Sequence, residues 1–103
     1  MILIYTKRPQ KALDFLMKVC ERMHEDGIAS AKIVKTKAIY NTVLHTPSEH
    51  WEILPIDFRT RGKRWNKCYV DFDITENELK DIVLPCHFYS TEEGRWDRPM
   101  IFI

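Results

Sequence analysis

The apolar positions of this chain fall into several short runs and one long periodic stretch. Residues 2 to 5, ILIY, form an unbroken β-rich run closed off by Pro9, the pattern of a buried strand. Over residues 9 to about 26, Ala12, Leu13, Leu16, Val19, Cys20 and Met23 recur at spacings of three and four, with proline in the first turn and Gly27 past the end. That spacing predicts an amphipathic helix. Residues 31 to 45 are rich in Ile, Val, Thr and Tyr, TPSE supplies turn chemistry, and HWEILPI returns as a second β-rich run, so a hairpin is expected. Beyond the basic stretch RTRGKRWNK, the segment CYVDFDI places Tyr69, Val70, Phe72 and Ile74 in an interior strand. Thr75 followed by Glu78 makes a capping box, which predicts that ENELKDIVL is a helix stopped by Pro85. The remainder, CHFYSTEEGRWDRPMIFI, reads as a loop with a turn at Glu93 and Gly94 and a strand over residues 100 to 103.

The order strand, helix, hairpin, strand, helix, strand implies an α/β or α+β fold, a single-domain mixed β-sheet with two main helices packed on it. A length of 103 residues suits one globular domain over 1–103. With 45% hydrophobic and 30% charged residues and few glycines or prolines, the chain has a globular balance. Sixteen basic against fifteen acidic residues leave a formal charge of +1, so no global field draws nucleic acid or anionic lipid, and an electrostatic partner must read a local patch. The opening MILIYTKRP has its positive charges after a short apolar run, the wrong order for a signal peptide. No stretch approaches the roughly 18 apolar residues of a membrane helix. The expected location is a bacterial host's cytoplasm, where thiols stay reduced, and the odd count of three cysteines fits that expectation.

ILIYTKRPQKALDFL, a strand passing through a turn into a helix, followed downstream by the apolar strand CYVDFD ending in aspartate, resembles the skeleton of a P-loop NTPase of the terminase or helicase type. The resemblance covers about half the chain and rests on element order. At the place of the phosphate loop, TKRPQKA has no glycine and no Gly-Lys-Ser/Thr, so backbone N–H groups cannot wrap phosphate oxygens in the usual way. What the resemblance implies is a degenerate scaffold without ATP hydrolysis. Asp71 corresponds loosely to the carboxylate of the magnesium shell, with Asp73 after it; the plain alternative is a polar strand end.

Cys20 and His24 stand four apart on the predicted helix and so share one side of it. A parallel pairing of strands 2–6 and 68–74 would bring the end of the first helix, Cys68, and the Cys86-His87 pair after the second helix to one end of the sheet. Cys20, His24, Cys68, Cys86 and His87 are therefore candidate ligands for a structural zinc, because thiolate and imidazole in a tetrahedral set select that ion. The alternative is three buried cysteines with scattered surface histidines. His45 and His50, flanking the hairpin turn, are expected to be exposed.

RTRGKRWNK packs five positive charges into residues 59 to 67, with Trp65 among them, and Arg95, Trp96 and Arg98 repeat the combination. Basic side chains beside an aromatic can grip phosphate and stack on a base, and Trp and Arg are enriched at interface hot spots. Arg59, Arg61, Lys63, Arg64, Trp65, Arg95 and Trp96 are the candidate partner-binding residues. The acidic strip 71 to 81 is a second surface that could meet a basic groove. No Gly-x-Ser-x-Gly is present, and Cys20 and Cys86 have no identifiable activating partner, so an enzyme is not expected.

In profile the chain is similar to the small anti-CRISPR proteins of phages and mobile elements, which inhibit the Cas9 class of nuclease by binding it. The likeness is one of type, since those proteins share no signature motif. It implies a non-enzymatic inhibitor whose protein partner is a nucleic-acid-processing nuclease. The alternative is an accessory module that binds nucleic acid directly through the basic loop 59–67. No membrane partner is expected.

Overall fold

The computed structural model describes residues 1–56, 67–71 and 73–83, and the backbone of 100–102. Its centre is a six-stranded mixed sheet in the order β2-β3-β4-β1-β5-β6. The strands are β1 (Ile2–Thr6), β2 (Lys32–Val34), β3 (Val43–His45), β4 (His50–Pro55), β5 (Lys67–Val70) and β6 (Met100–Phe102). β1 pairs in parallel with β4 and β5, β5 in parallel with β6, and β3 runs antiparallel to both β2 and β4. This is the mixed α/β architecture expected from the element order.

β1 is central because ILIYT can be buried on both faces. Alternation sends Ile4 to one side, with Trp51 and Ile53 of β4 and Leu44 of β3, and Leu3 and Tyr5 to the other, with Leu54, Cys68 and Val70. Helix α1 (Pro9–Glu25) covers the first face with Ala12, Leu13, Leu16 and Cys20, the spacing read from the sequence. Its end is set by Gly27, whose φ of 91° lets Ile28 N–H donate to the Met23 carbonyl at 2.9 Å, a Schellman closure.

The opposite face is covered by α2 (Glu76–Glu78) and its π-helical continuation Leu79–Val83, which bury Ile82 and Val83 beside Ile74. The capping box is formed: Glu78 N–H donates to Thr75 Oγ1 at 3.2 Å, and Thr75 N–H donates to Glu78 Oε1 at 3.0 Å. Thr75→Ala should cost about 1 kcal/mol and lower the melting temperature by roughly 5 °C, while Thr75→Ser keeps the cap. Calorimetry of the two variants checks it, and equal melting of Ala and Ser variants would remove the cap from the account.

The hairpin forms, with a narrower extent than the sequence suggests. β3 and β4 meet around the TPSE turn, where Glu49 N–H donates to Thr46 Oγ1 at 2.8 Å. Residues 35 to 42, expected to continue the first arm, instead loop back so that β2 pairs with β3. The cause is the backbone at Ile39 and Asn41, both at φ 68°, a conformation no strand tolerates and one that a β-branched residue rarely adopts. Partner bonds hold it there: Asn41 N–H donates to the Ile53 carbonyl at 2.7 Å, and Thr36 Oγ1 donates to that of Tyr40 at 2.7 Å. Likewise β5 stops at Val70, so Ile74 packs from a turn and not from the strand predicted to contain it.

Candidate functional site

From β1 the chain leaves over one face through α1; from β5 it leaves over the other through α2. Between these neighbouring parallel strands the winding reverses, and in open α/β sheets the crevice at the carboxyl ends of such strands is where ligands are held. Thr6 and Asp71 sit at that point, with Arg8 on the turn between β1 and α1. Asp71 N–H donates to the Tyr5 carbonyl at 3.0 Å, which continues the β1–β5 ladder by one bond and aims the carboxylate at the turn.

That carboxylate is enclosed. Asp71 is 2% exposed, and Arg8 forks onto it, Nε donating to Oδ2 at 3.0 Å and Nη2 donating to Oδ1. The Thr6 hydroxyl donates to Oδ2 at 3.2 Å, Asp73 N–H to Oδ1 at 3.4 Å, and Lys11 Nζ lies 4.0 Å from Oδ1. Thr6 Oγ1 in turn accepts from Arg8 N–H at 2.8 Å, so the hydroxyl ties turn and carboxylate together. The Arg8 fork, helped by the Asp73 and Thr6 bonds, holds the Asp71 carboxyl down at about 2, against a burial that would raise it. The same bond raises the Arg8 guanidinium above its ordinary value. Charges around the crevice pair off further: Arg8 Nε stands 3.4 Å from Asp73 Oδ2, and Lys7 Nζ stands 2.7 Å from Glu78 Oε1.

Chemically, this arrangement holds a carboxylate ionised at neutral pH and internally neutralised. As a magnesium ligand or a general base Asp71 would first have to lose a bidentate arginine, and a base held near 2 has almost no proton affinity at neutral pH. The sequence singled out Asp71 and Asp73 but not Arg8. The available signal was TKRP: basic residues between an apolar strand and a helix that has no acidic residue in its first turn.

The expected cysteine and histidine set divides. β1 and β5 are parallel, so the end of α1 and the start of β5 do lie at one end of the sheet. The faces separate them. Cys20 is on the α1 side, with its Sγ 3.9 Å from His24 Nε2, whereas Cys68 is fully buried on the other side among Leu3, Tyr5, Leu54 and Val70. His24 Nε2, the nitrogen nearest Cys20, donates to the Ala31 carbonyl at 2.8 Å. Burial pushes the Cys68 thiol up to about 12. Among the described residues no group of three or more His, Cys, Asp or Glu could hold a metal ion. Cys86 and His87 lie outside the described residues. So do Arg59, Arg61, Lys63, Arg64, Trp65, Arg95 and Trp96.

His50 is half-buried, not exposed as expected, while His45 is exposed. Their rings meet edge to face at 4.7 Å across the hairpin. The acidic strip is largely matched by its neighbours, with Asp71 and Asp73 on Arg8, Glu78 on Lys7, and Glu76 3.2 Å from Lys80. One guanidinium serves both aspartates and Asp81 is exposed, so the strip keeps part of its negative charge.

On the α1 face, a cleft of about 420 Å³ opens between the helix and the sheet, lined by Phe15, Lys18, Val19, Arg22, Met23, Trp51 and Tyr69. Trp51 stacks on Tyr69 with ring centres 5.4 Å apart and planes 20° from parallel, and Phe15 tilts against Tyr69 at 5.0 Å. Lys67, the last residue of the basic run, puts its ammonium 5.3 Å from the centre of the Tyr69 ring. Val19 and Met23 pack against the core as their spacing predicts, and Phe15, Lys18, Val19 and Arg22 recur at i, i+3, i+4 and i+7, a second stripe beside the core stripe.

Compared with known proteins, the chain matches no family model, no curated protein and no solved structure. Among the described residues no helix is long and apolar enough to cross a membrane.

Proposed function

We propose that this chain is a non-enzymatic nucleic-acid-binding module built on a nucleotide-binding type of sheet that has neither phosphate loop nor free carboxylate. The observation that carries the reading is the closed Arg8–Asp71 pair at the reversal point of the sheet. The residue best placed for metal-assisted chemistry is already saturated by Arg8, Thr6 and the Asp73 amide. Function then rests on recognition of a partner, and the sequence offers the basic run 59–67, which enters β5 at Lys67, as the candidate for it. A bacterial cytoplasm suits it, because nucleic acid is there and thiols such as Cys20 and Cys68 stay reduced.

Fluorescence anisotropy with labelled DNA and RNA tests this. Binding is expected at dissociation constants of about 10⁻⁴ to 10⁻⁶ M near physiological salt, weakening steeply as salt rises. Replacing Arg61, Lys63 and Arg64 together by glutamine should flatten the salt dependence by about three units of slope. Tight binding to a Cas9-class nuclease without affinity for nucleic acid would select the inhibitor reading instead. Metal-dependent turnover that Asp71→Ala abolishes would overturn both.

A further inference from the structure

We propose that the cleft between α1 and the sheet seats an unpaired nucleobase, which makes the ligand a single strand and not a duplex; this deepens the nucleic-acid reading and rests on it. Four observations converge on that ligand. The cleft volume of about 420 Å³ lies within the size range of small-ligand sites, roughly 300–1,000 Å³. Its sheet-side wall is aromatic: the half-buried Tyr69 and Phe15 offer ring surface, backed by the buried Trp51 that stacks on Tyr69. Every base has a π-face, so such a wall takes bases with little regard to sequence. The indole is held in place by its Nε1–H, which donates to Glu49 Oε2 at 2.7 Å, so the wall is set before any ligand arrives.

Charge is the fourth observation, and it decides between a base and an apolar side chain of a protein. Lys18 and Arg22 line the cleft and Lys67 stands over Tyr69, three cations against the Glu49 carboxylate that accepts from the Trp51 indole behind the wall. Lys18 and Arg22 are exposed, so their stems cover the apolar wall while their charged ends reach the rim. Arg22 Nε is 4.0 Å from Asp26 Oδ2, with both side chains largely in water, a pair too weak to hold it from a phosphate. An apolar wall rimmed by three cations matches a base with its flanking phosphates. In a duplex the base faces are stacked on one another and cannot reach such a wall.

The chain contains three tryptophans, so Trp65→Phe with Trp96→Phe leaves Trp51 as the sole indole reporter; because both are candidate contact residues, affinities are taken from anisotropy on the otherwise unaltered chain and this variant reads only the quenching. The full-length protein is titrated with an oligothymidylate of about twelve nucleotides, and with a duplex of equal length. The expected result is quenching of Trp51 emission that saturates with the anisotropy, and about tenfold preference for the single strand. Tyr69→Leu should weaken single-strand binding about tenfold and Tyr69→Phe should not. Lys18→Glu with Arg22→Glu, both on the exposed flank of the helix, should weaken it by at least as much at an unchanged melting temperature. Should Tyr69→Leu fail to fold, this charge-reversal variant still decides. Equal affinity for duplex and single strand, or full affinity in the charge-reversal variant, would overturn the cleft as the site while leaving nucleic-acid binding standing. Competition by polyglutamate as strong as by oligothymidylate would show a charge site that reads no base. No binding of either nucleic acid by the unaltered protein sinks both readings.

Discussion

Arg8→Ala should destabilise the protein at neutral pH and lower its melting temperature by several degrees. The loss is smaller than for a pair buried on both sides, because the Arg8 side chain is 39% exposed and screened by water. Asp71, at 2% exposed, would be left with the Thr6 hydroxyl, the Asp73 amide and a Lys11 ammonium 4.0 Å away, too little to hold a buried carboxylate ionised at no cost.

The pH dependence distinguishes this mechanism from simple loss of packing. The Asp71 carboxyl is depressed in the folded protein, to about 2 from an ordinary value of 3.8. Such a group contributes stability that is fully present above its unfolded value and is lost as pH falls from about 4 toward 2. In Arg8→Ala the carboxyl rises, so the deficit should be greatest above pH ~4 and shrink as pH falls, until the two proteins approach each other near pH ~2. Denaturant melts at several pH values measure it. A deficit that does not change with pH would assign the loss to packing of the arginine stem. In a double-mutant cycle, Asp71→Ala on the Arg8→Ala background should add much less than on the unaltered chain, because the pair acts as a unit.

Cys68 should resist alkylation far more than an exposed thiol, by about a thousandfold or more at mildly alkaline pH, and react only through opening of the fold. Two effects combine. The side chain is fully buried among Leu3, Tyr5, Leu54, Val70, Ile74, Ile82 and Val83, so a reagent cannot reach it. Burial also raises the thiol to about 12, from 9.0, so the reactive thiolate is scarce in the folded state. A raised value means that stability is fully present below the unfolded value and falls as pH climbs from about 9 toward 12, when the unfolded chain loses the proton that the folded chain keeps. Iodoacetamide pulses followed by peptide mass spectrometry read Cys68 separately from Cys20 and Cys86. Labelling should accelerate in step with denaturant. Rapid labelling of Cys68 in the folded protein would mean that the α2 face of the sheet opens easily.

Much of the scaffold was legible because it is local. α1 follows from apolar residues three and four apart, a proline at its start and a glycine past its end, all within one segment. The capping box at Thr75 and Glu78 is likewise a contact between residues three apart. The turn at residues 46 to 49 needed only its own side chains. The loop over residues 35 to 42 was not legible, since propensity favours a strand there and the positive φ at Asn41 is held by a bond to a different strand, at the Ile53 carbonyl.

The candidate site was less legible for the same physical reason. Arg8 reaches Asp71 across 63 residues of chain, a pairing that no spacing rule exposes. The sequence by itself determined the helical period, the caps, the apolar runs able to become central strands, and the absence of a glycine-rich phosphate loop, because each depends on neighbours along the chain. Tertiary structure alone decided that β5 lies beside β1, which brings a turn arginine onto a strand-end carboxylate and closes the crevice. It also decided that Cys20 and Cys68 share an end of the sheet but not a face, and that Phe15, Trp51 and Tyr69 meet to make a cleft. Strand order is settled by how apolar surface is shared among distant segments, and side-chain period in a strand is two, so one residue of register carries a group to the opposite face.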